Sequence, residues 1–302
     1  MHLGKRPRRH DPRTLKLGRY VKGTLAPAPP CVDYTRGITD WGMMLNDQLG
    51  CCTIAAVAHA VQTWTANAST EFSFPDPVIL DYYQTWDGYN PADPATDQGG
   101  VELDVLNDWR QQGFAGQALD AYGAIELGQG PHPTIPMLEV MDAIWLFGGA
   151  YIGVELPLTA QNQEVWDIED RVIGRSGDRV NSGEIGSSDH LSIGSSEEQK
   201  SNQQVNPSTD EPITGSPDLP ITRSPDDPGS WGGHAVYLVA YDQKTLTCIT
   251  WGQLKKMTWQ WFAKYCSEAY GLVAKEWLEA SGVSPSGFDL AALENDLKLV
   301  TA

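Results

Sequence analysis

Length and composition set the first bounds: 302 residues with 41% hydrophobic side chains are enough for the core of one large domain or two small ones. The net charge of −18 argues against nucleic acid as the main ligand. The sequence shows neither a run of eighteen apolar residues nor the apolar region of an export signal. We therefore expect no membrane association and a cytoplasmic location.

The cysteines do not form a disulfide framework. The chain has an odd number of cysteines at irregular spacing, namely Cys31, Cys51, Cys52, Cys248 and Cys266. Adjacent cysteines are poorly placed for a disulfide or a chelate, and no Cys-x-x-Cys or His-x₃-His pair occurs. We expect reduced thiols, no metal site and no cofactor.

The first 30 residues differ in charge from the rest. Residues 1–23 hold eight Lys/Arg and one Asp, and the remaining 279 residues hold thirteen basic and thirty-eight acidic groups. A basic arm suits nucleic acid or an acidic partner, but the acidic remainder favours a solvated segment or a strap on the chain's own body. Residues 1–30 end in a Pro-rich run, and we predict that they form an extended surface strap. A single domain of residues 31–302 is predicted to follow it.

The stretch from Asn46 to Gln62 combines turn residues, a Gly, a cysteine and then an Ala-rich run, which predicts a helix from Cys52 to about Ala66. A sulfur at a helix start meets unpaired N–H groups and the positive end of the helix dipole, which lower a thiol's pKa. The alternative is a small buried cysteine that packs the helix end. His59 lies too far along the helix for direct proton transfer from Cys52 and is interpreted as a core histidine.

Further elements alternate along the chain. After a turn-rich loop that contains Gly99 and Gly100, the pattern changes from helices to a region that also contains strands. The predicted helices are 78–86, 101–112, 135–147 and 259–267, and the predicted strands are 119–126, 149–156, 234–240, 246–251 and 269–274, with a final short helix after Asp289. Residues 167–230 contain no Phe, Tyr or Trp and are rich in Ser, Gly, Pro and Asp, which predicts a low-complexity disordered insertion.

The segment Gly232-Gly233-His234-Ala235-Val236 places a histidine at the start of an apolar strand. A histidine that faces a helix N-terminus can form a thiolate–imidazolium pair with a cysteine there. A lone histidine beside an apolar run is commonly structural. The pairing of Gly-x-Cys-Thr before a helix with Gly-His-Ala-Val opening a strand is more specific than either motif.

These motifs resemble those of the papain-like cysteine peptidases. The segments that carry the resemblance are Pro29-Pro30-Cys31-Val32-Asp33-Tyr34, Gly50-Cys51-Cys52-Thr53, Asp97-Gln98-Gly99-Gly100, Gly233-His234-Ala235-Val236 and Thr250-Trp251-Gly252. The Asn-Asp-x-x-Gly-x-Cys-Thr pattern is also similar to a branch of phage and bacterial proteins. The resemblance implies an α+β papain-like fold with two lobes, a helical lobe at about 41–118 and an antiparallel β lobe at about 119–302.

The same resemblance implies a function: acyl transfer on a peptide or protein substrate, with Cys52 as nucleophile and His234 as its partner. Asn46, six residues before Cys52, is the expected oxyanion donor, with Gln48 as its rival. The substrate-binding residues that the resemblance implies are Gly99, Gly100 and Trp251.

One position departs from the family. Ile249 stands where an Asn would orient the histidine, and its side chain cannot accept a hydrogen bond. Thr250 or Gln253 could take that role, or Cys52 and His234 could act as a dyad. The alternative function is therefore a catalytically inactive papain-like protein that serves in binding or in a phage-associated structure.

Overall fold

A computed structural model describes residues 1–21, 25–128, 134–168 and 224–274, together with Trp277, Ala291 and Asn295. The chain divides into one unit of residues 1–168 with 223–302 and a second of residues 169–222. The second unit lies outside the described residues, as do most of the predicted insertion and, apart from Ala291 and Asn295, the predicted final helix. In the described part of the chain, no helix is long and apolar enough to cross a membrane.

The helices lie close to their predicted positions. They are α1 (Cys52–Asn67), α2 (Asp76–Trp86), α3 (Glu102–Gln112), α4 (Thr134–Phe147) and α5 (Trp259–Tyr265). Helix α1 begins at Cys52 as predicted, and its first thirteen residues are all buried. The small alanine side chains let neighbouring elements approach α1 on every side, so this helix forms the centre of its half of the core.

The strands form one antiparallel sheet in the described residues. They are β1 (Val32–Asp33), β2 (Ala121–Ala124), β3 (Ala150–Leu156), β4 (Gly232–Tyr241), β5 (Thr245–Thr250), β6 (Gln253–Thr258) and β7 (Cys266–Val273). Their order is β2-β7-β3-β4-β5-β6, and β1 pairs with β4. The registers place His234 opposite Val154 on β3 and Tyr237 opposite Ile249 on β5. Strand β4 is thereby central, and its first residues face α1.

Strand β6 was missed by the sequence analysis because its exposed lysines and glutamine lack an apolar alternation, as is common for an edge strand. The predicted strand 246–251 is also shifted by one residue towards the C-terminus relative to β5. Trp251 and Gly252 both have positive φ, 46° and 69°, and form the tight turn between β5 and β6. Trp251 is therefore a turn residue in a conformation that a bulky side chain seldom adopts.

The core has two parts, one on each side of the sheet. The first contains most of α1, Ile79, Trp109 and Tyr151, and the second contains Phe147, Trp166, Trp261 and neighbouring strand residues. Leu17 and Tyr20 belong to the second part. At these two positions the predicted N-terminal strap packs into the body of the chain, because apolar side chains gain more from burial than from exposure.

Residues 224–230, which their composition assigns to the insertion, form turns that contact α5 and the residues after β3. The Asp226 carbonyl accepts a hydrogen bond from Tyr265 Oη at 3.0 Å, and the Pro225 carbonyl accepts from the Thr159 N–H at 3.3 Å. These contacts are made by backbone groups, so composition alone did not reveal them.

Candidate active site

Cys52 lies at the first position of α1, with its side chain fully buried against the start of β4. Its sulfur accepts a hydrogen bond from the Ala235 N–H at 3.4 Å. Ala235 directly follows His234, so the fold brings the predicted nucleophile to the strand position beside the predicted histidine. Cys51 points elsewhere, because its Sγ donates to the Met44 carbonyl at 3.4 Å.

His234 is held on one ring nitrogen and unpaired on the other. Its Nε2 lies 2.7 Å from Thr250 Oγ1, and its Nδ1 has no hydrogen-bond partner in the described residues. The Trp251 indole stacks on the imidazole with a centroid distance of 4.3 Å and an interplanar angle of 10°. Thr250 is thus the residue that contacts the ring, where sequence reasoning also considered Gln253.

Burial keeps both candidate groups neutral in this arrangement. It raises the pKa of the Cys52 thiol to about 12, although the N–H groups of Ala235 and Gly4 act in the opposite direction. Burial, together with nearby His59, lowers the pKa of His234 to about 3. The prediction of a lowered thiol pKa is wrong for this closed state, because removal of water outweighs the favourable helix start.

Residues 2–6, here called the covering segment, lie over Cys52, and the Gly4 N–H faces its sulfur. Hydrogen bonds join this segment to both sides of a cleft over Cys52: His2 N–H to the Asn46 carbonyl (3.1 Å), Gly100 N–H to the Gly4 carbonyl (2.8 Å), Lys5 N–H to the Gly233 carbonyl (3.1 Å) and Arg6 N–H to the Gly100 carbonyl (2.8 Å). The segment is held through its main chain, as extended peptides are when they bind beside a strand or loop. The chain itself occupies its candidate substrate cleft.

The covering segment can approach the cleft this closely because Gly4 has no side chain. A Cβ on Gly4 would lie 1.7 Å from the Gly50 carbonyl oxygen. Similarly, a Cβ on Gly99 would lie 1.7 Å from the Gly4 carbonyl oxygen. Of the predicted substrate-binding residues, Gly99 and Gly100 thus border the covering segment, and Trp251 donates to the His2 carbonyl at 3.4 Å.

The two candidate oxyanion donors differ in their surroundings. Asn46 is buried, and its Nδ2 donates to the Leu49 carbonyl at 3.4 Å within the loop before α1. Gln48 is exposed. His59 is a satisfied core histidine, as interpreted from the sequence, because its Nε2 lies 2.9 Å from the Trp41 carbonyl and burial lowers its pKa to about 4.

Sequence reasoning missed a cluster of charges beside the cleft. Lys5 lies 3.0 Å from a carboxylate oxygen of Glu155 and 3.0 Å from one of Glu268, and Glu102 is fully buried nearby. These glutamates are distant from one another in sequence and have no shared motif. The one available signal was a charged residue within the mostly apolar strands β3 and β7.

The helix that begins at a cysteine, the histidine on the facing antiparallel strand and the order of elements define a papain-like fold. This confirms the predicted fold class. Among solved structures, the chain is similar to xylellain, a cysteine protease from Xylella fastidiosa, at 13% identity and a TM-score of 0.52, over 90% of this chain and 96% of that one.

Two other solved structures show weaker similarity. Digestive procathepsin L 3 of Tenebrio molitor larval midgut has 13% identity over 89% of this chain and 75% of that one, with a TM-score of 0.46. A cysteine protease of Carica candamarcensis in complex with E-64 has 11% identity over 82% and 99%, with a TM-score of 0.43. No family model matches the chain, and no curated protein matches it in sequence. At such low identity, the similarity establishes the fold and leaves the activity to the site.

Proposed function

We propose that this protein is a cysteine-dependent peptidase or amidase that acts by acyl transfer through Cys52 and His234. The observation that carries the proposal is the placement of the Cys52 sulfur 3.4 Å from the amide that follows His234, with His234 Nε2 bound to Thr250 and Nδ1 left without a partner among the described residues. A ring held on one nitrogen and unpaired on the other is suited to accept a proton from the thiol.

The reaction begins when the covering segment leaves and water enters the cleft. The cost of burying charge then falls, so the thiol proton can move to His234 Nδ1. The thiolate attacks the substrate carbonyl carbon, and the C=O electron pair moves to the oxygen. When the tetrahedral intermediate collapses, the C–N bond breaks and His234 returns its proton to the leaving amine. Water, deprotonated by His234, then hydrolyses the thioester and regenerates the thiol.

Four neighbouring groups complete the proposed machinery. The Cys52 N–H and the Asn46 side-chain amide stabilise the negative oxygen; Asn46 is favoured over Gln48 because it is buried beside the path of the covering segment. Thr250 orients His234 through the 2.7 Å contact, and Trp251 covers the ring. Thr250 thus replaces the amide that Ile249 lacks.

The substrate class follows from the cleft. The Gly100 N–H donates to the carbonyl of Gly4, and the Gly233 carbonyl accepts from the N–H of Lys5, so an extended peptide or protein segment fits the same positions. The similarity of the Asn46–Thr53 motif to phage and bacterial proteins stays a prediction about origin.

The test compares full-length chains that carry Gly4→Ala, alone and with Cys52→Ala. The Gly4→Ala methyl group collides with Gly50, so it should displace the covering segment and open the cleft. We expect Gly4→Ala to hydrolyse members of a blocked fluorogenic peptide library and the double variant to be inactive. Cys51→Ala on the Gly4→Ala background is the matched control and should keep the activity, because Cys51 faces the Met44 carbonyl.

A second function is favoured by a specific observation. Ile249 is buried at the position where the related enzymes' motif has an amide, and the closed cleft holds a neutral Cys52. This arrangement suits an inactive papain-like protein with a binding or phage-associated structural role. A folded Gly4→Ala variant with an alkylatable Cys52 and no cleavage of any library peptide would favour that function over the peptidase.

A further inference from the structure

Three glutamates form an acidic pocket beside Cys52; this pocket is defined by Glu102 in the first turn of α3, Glu155 on β3 and Glu268 on β7. The Lys5 ammonium enters it, donates to Glu155 Oε1 at 3.0 Å and pairs with Glu268 Oε1 at 3.0 Å. Its third donor faces the Arg6 carbonyl at 3.3 Å. The side chain of Lys5 has no exposed surface in this position.

The pocket is more acidic than its present occupant requires. Both carboxylate oxygens of Glu102 are buried without a hydrogen-bond partner in the described residues. The pocket thus holds three carboxyl groups around the single ammonium group of Lys5. An unpaired buried carboxyl group is costly and is seldom found without a role. Burial and the neighbouring Glu268 raise the pKa of Glu102 well above its usual value.

Packing also shapes the pocket for a long, thin side chain. A Cβ on Gly153 would lie 2.1 Å from Lys5 Cε and 2.9 Å from Glu102 Oε1, so the missing side chain leaves the space that the lysine fills. Glu268 is fixed from behind, since its Oε2 accepts a hydrogen bond from Tyr270 Oη at 2.9 Å. The Glu268 Oε1 atom therefore faces the cation.

We infer that the acidic pocket is a specificity site that selects a lysine side chain close to the substrate bond attacked by Cys52, and that Lys5 occupies this site in the closed chain. The lysine placement rests on the proposed function, because it uses the same cleft. Gly4, whose N–H faces the Cys52 sulfur, directly precedes Lys5, which puts the pocket within reach of the reacting bond. A compact ammonium with three donors matches the observed partners.

Binding, measured without turnover, tests the inference. In the full-length chain with Gly4→Ala, Lys5→Ala and Cys52→Ala, we expect the covering segment to leave the cleft, because the added methyl group collides with Gly50 and the cation is removed; the candidate nucleophile is absent. The probes are acetyl-Leu-Gly-Lys-Arg-amide, which reproduces residues 3–6, and the same peptide with norleucine in place of lysine. By isothermal titration calorimetry we expect the lysine peptide to bind at least about 10-fold more tightly, the size expected for a charge-assisted hydrogen bond.

Glu268→Gln on the same background is the matched control, since it keeps the shape of the side chain and removes its charge. We expect this variant to lose most of the lysine preference. Equal affinities for the two peptides, no detectable binding of the lysine peptide, or an unchanged preference in Glu268→Gln would overturn the inference. Hydrolysis plays no part in this readout, so an inactive protein that still prefers lysine would contradict only the proposed function.

A second measurement does not depend on the triple variant. In the otherwise unchanged chain, Lys5→Met removes the cation and keeps the length of the side chain. We expect Cys52 to become at least about 10-fold more reactive towards iodoacetamide, because the covering segment loses a charge-assisted contact. An unchanged alkylation rate would show that the pocket contributes nothing to holding a lysine.

Discussion

Two buried regions beneath the covering segment differ in the ionisation of their side chains. At Cys52 and His234, burial favours the neutral forms of both groups. In the acidic pocket, by contrast, Lys5 stays charged although it is buried. Burial alone would lower the pKa of its ammonium group, but attraction by Glu102, Glu268 and Glu155 outweighs burial and raises this pKa. The comparison teaches that the exclusion of water keeps isolated titratable groups neutral, whereas a buried ammonium stays charged where carboxyl groups surround it.

The largest expected effect comes from opening the cleft. Gly4→Ala should increase the alkylation rate of Cys52 at pH 7 on the order of 10³-fold, because a thiol with a pKa near 12 has far less thiolate than one near its usual value. The rate is measured by mass spectrometry with iodoacetamide in a Cys31→Ser background, since Cys31 is exposed. If Cys52 reacted as fast as the exposed Cys31 in the chain without substitutions, the conclusion that burial keeps the Cys52 thiol neutral would be wrong.

A partly buried acid outside the acidic pocket sharpens the comparison. Burial raises the pKa of Asp87 to about 7, and Thr53 donates to its Oδ2 at 2.9 Å. Because the folded chain holds this proton more tightly than the unfolded chain, the contribution of Asp87 to stability is present below pH 4 and is lost as the pH rises to about 7. Asp87→Asn should remove this loss, which is worth about 4 kcal/mol for a shift of about three pKa units.

Urea unfolding at pH 5 and pH 8 measures this effect. We expect the stability of Asp87→Asn relative to the parent chain to rise between the two pH values, since the amide does not ionise and its oxygen still accepts from Thr53. A constant difference across this range would show that Asp87 is ionised in the folded chain as readily as in the unfolded one.

The neutral region also depends on one orienting contact. In the opened Gly4→Ala chain, Thr250→Val should lower kcat/KM for peptide hydrolysis by about 10²-fold, because His234 Nε2 loses its 2.7 Å partner. Thr250→Ser keeps the hydroxyl group and should restore most of the activity. Equal losses in the two variants would point to packing rather than orientation of the imidazole.

The smallest effect is expected at an exposed ion pair of the same basic arm. Arg9 pairs with Asp104, and both side chains are more than one-third exposed. Arg9→Met should change the free energy of unfolding by less than about 1 kcal/mol in urea titrations, because water screens such pairs. A loss well above about 1 kcal/mol would mean that water does not screen this exposed pair.

The sequence by itself determined the order of most elements, the helix that begins at Cys52 and the strand that contains His234. Helix periodicity, alanine content and strand composition are local properties, and each reports on the nearby backbone. The sequence also placed Thr250 among the candidates for orienting the histidine, because it lies next to Ile249. Strand β6 escaped detection since an edge strand needs no apolar alternation.

Only the tertiary structure decided the state of the site. It showed that Gly4 lies over Cys52, and that Glu102, Glu155 and Glu268 converge around Lys5 although 53 and 113 positions separate consecutive members. Side-chain ionisation depends on water access and on charges from distant parts of the chain, which no local pattern records. The physical reason is that the motif supplies the reactive groups, whereas burial and long-range charge set their protonation.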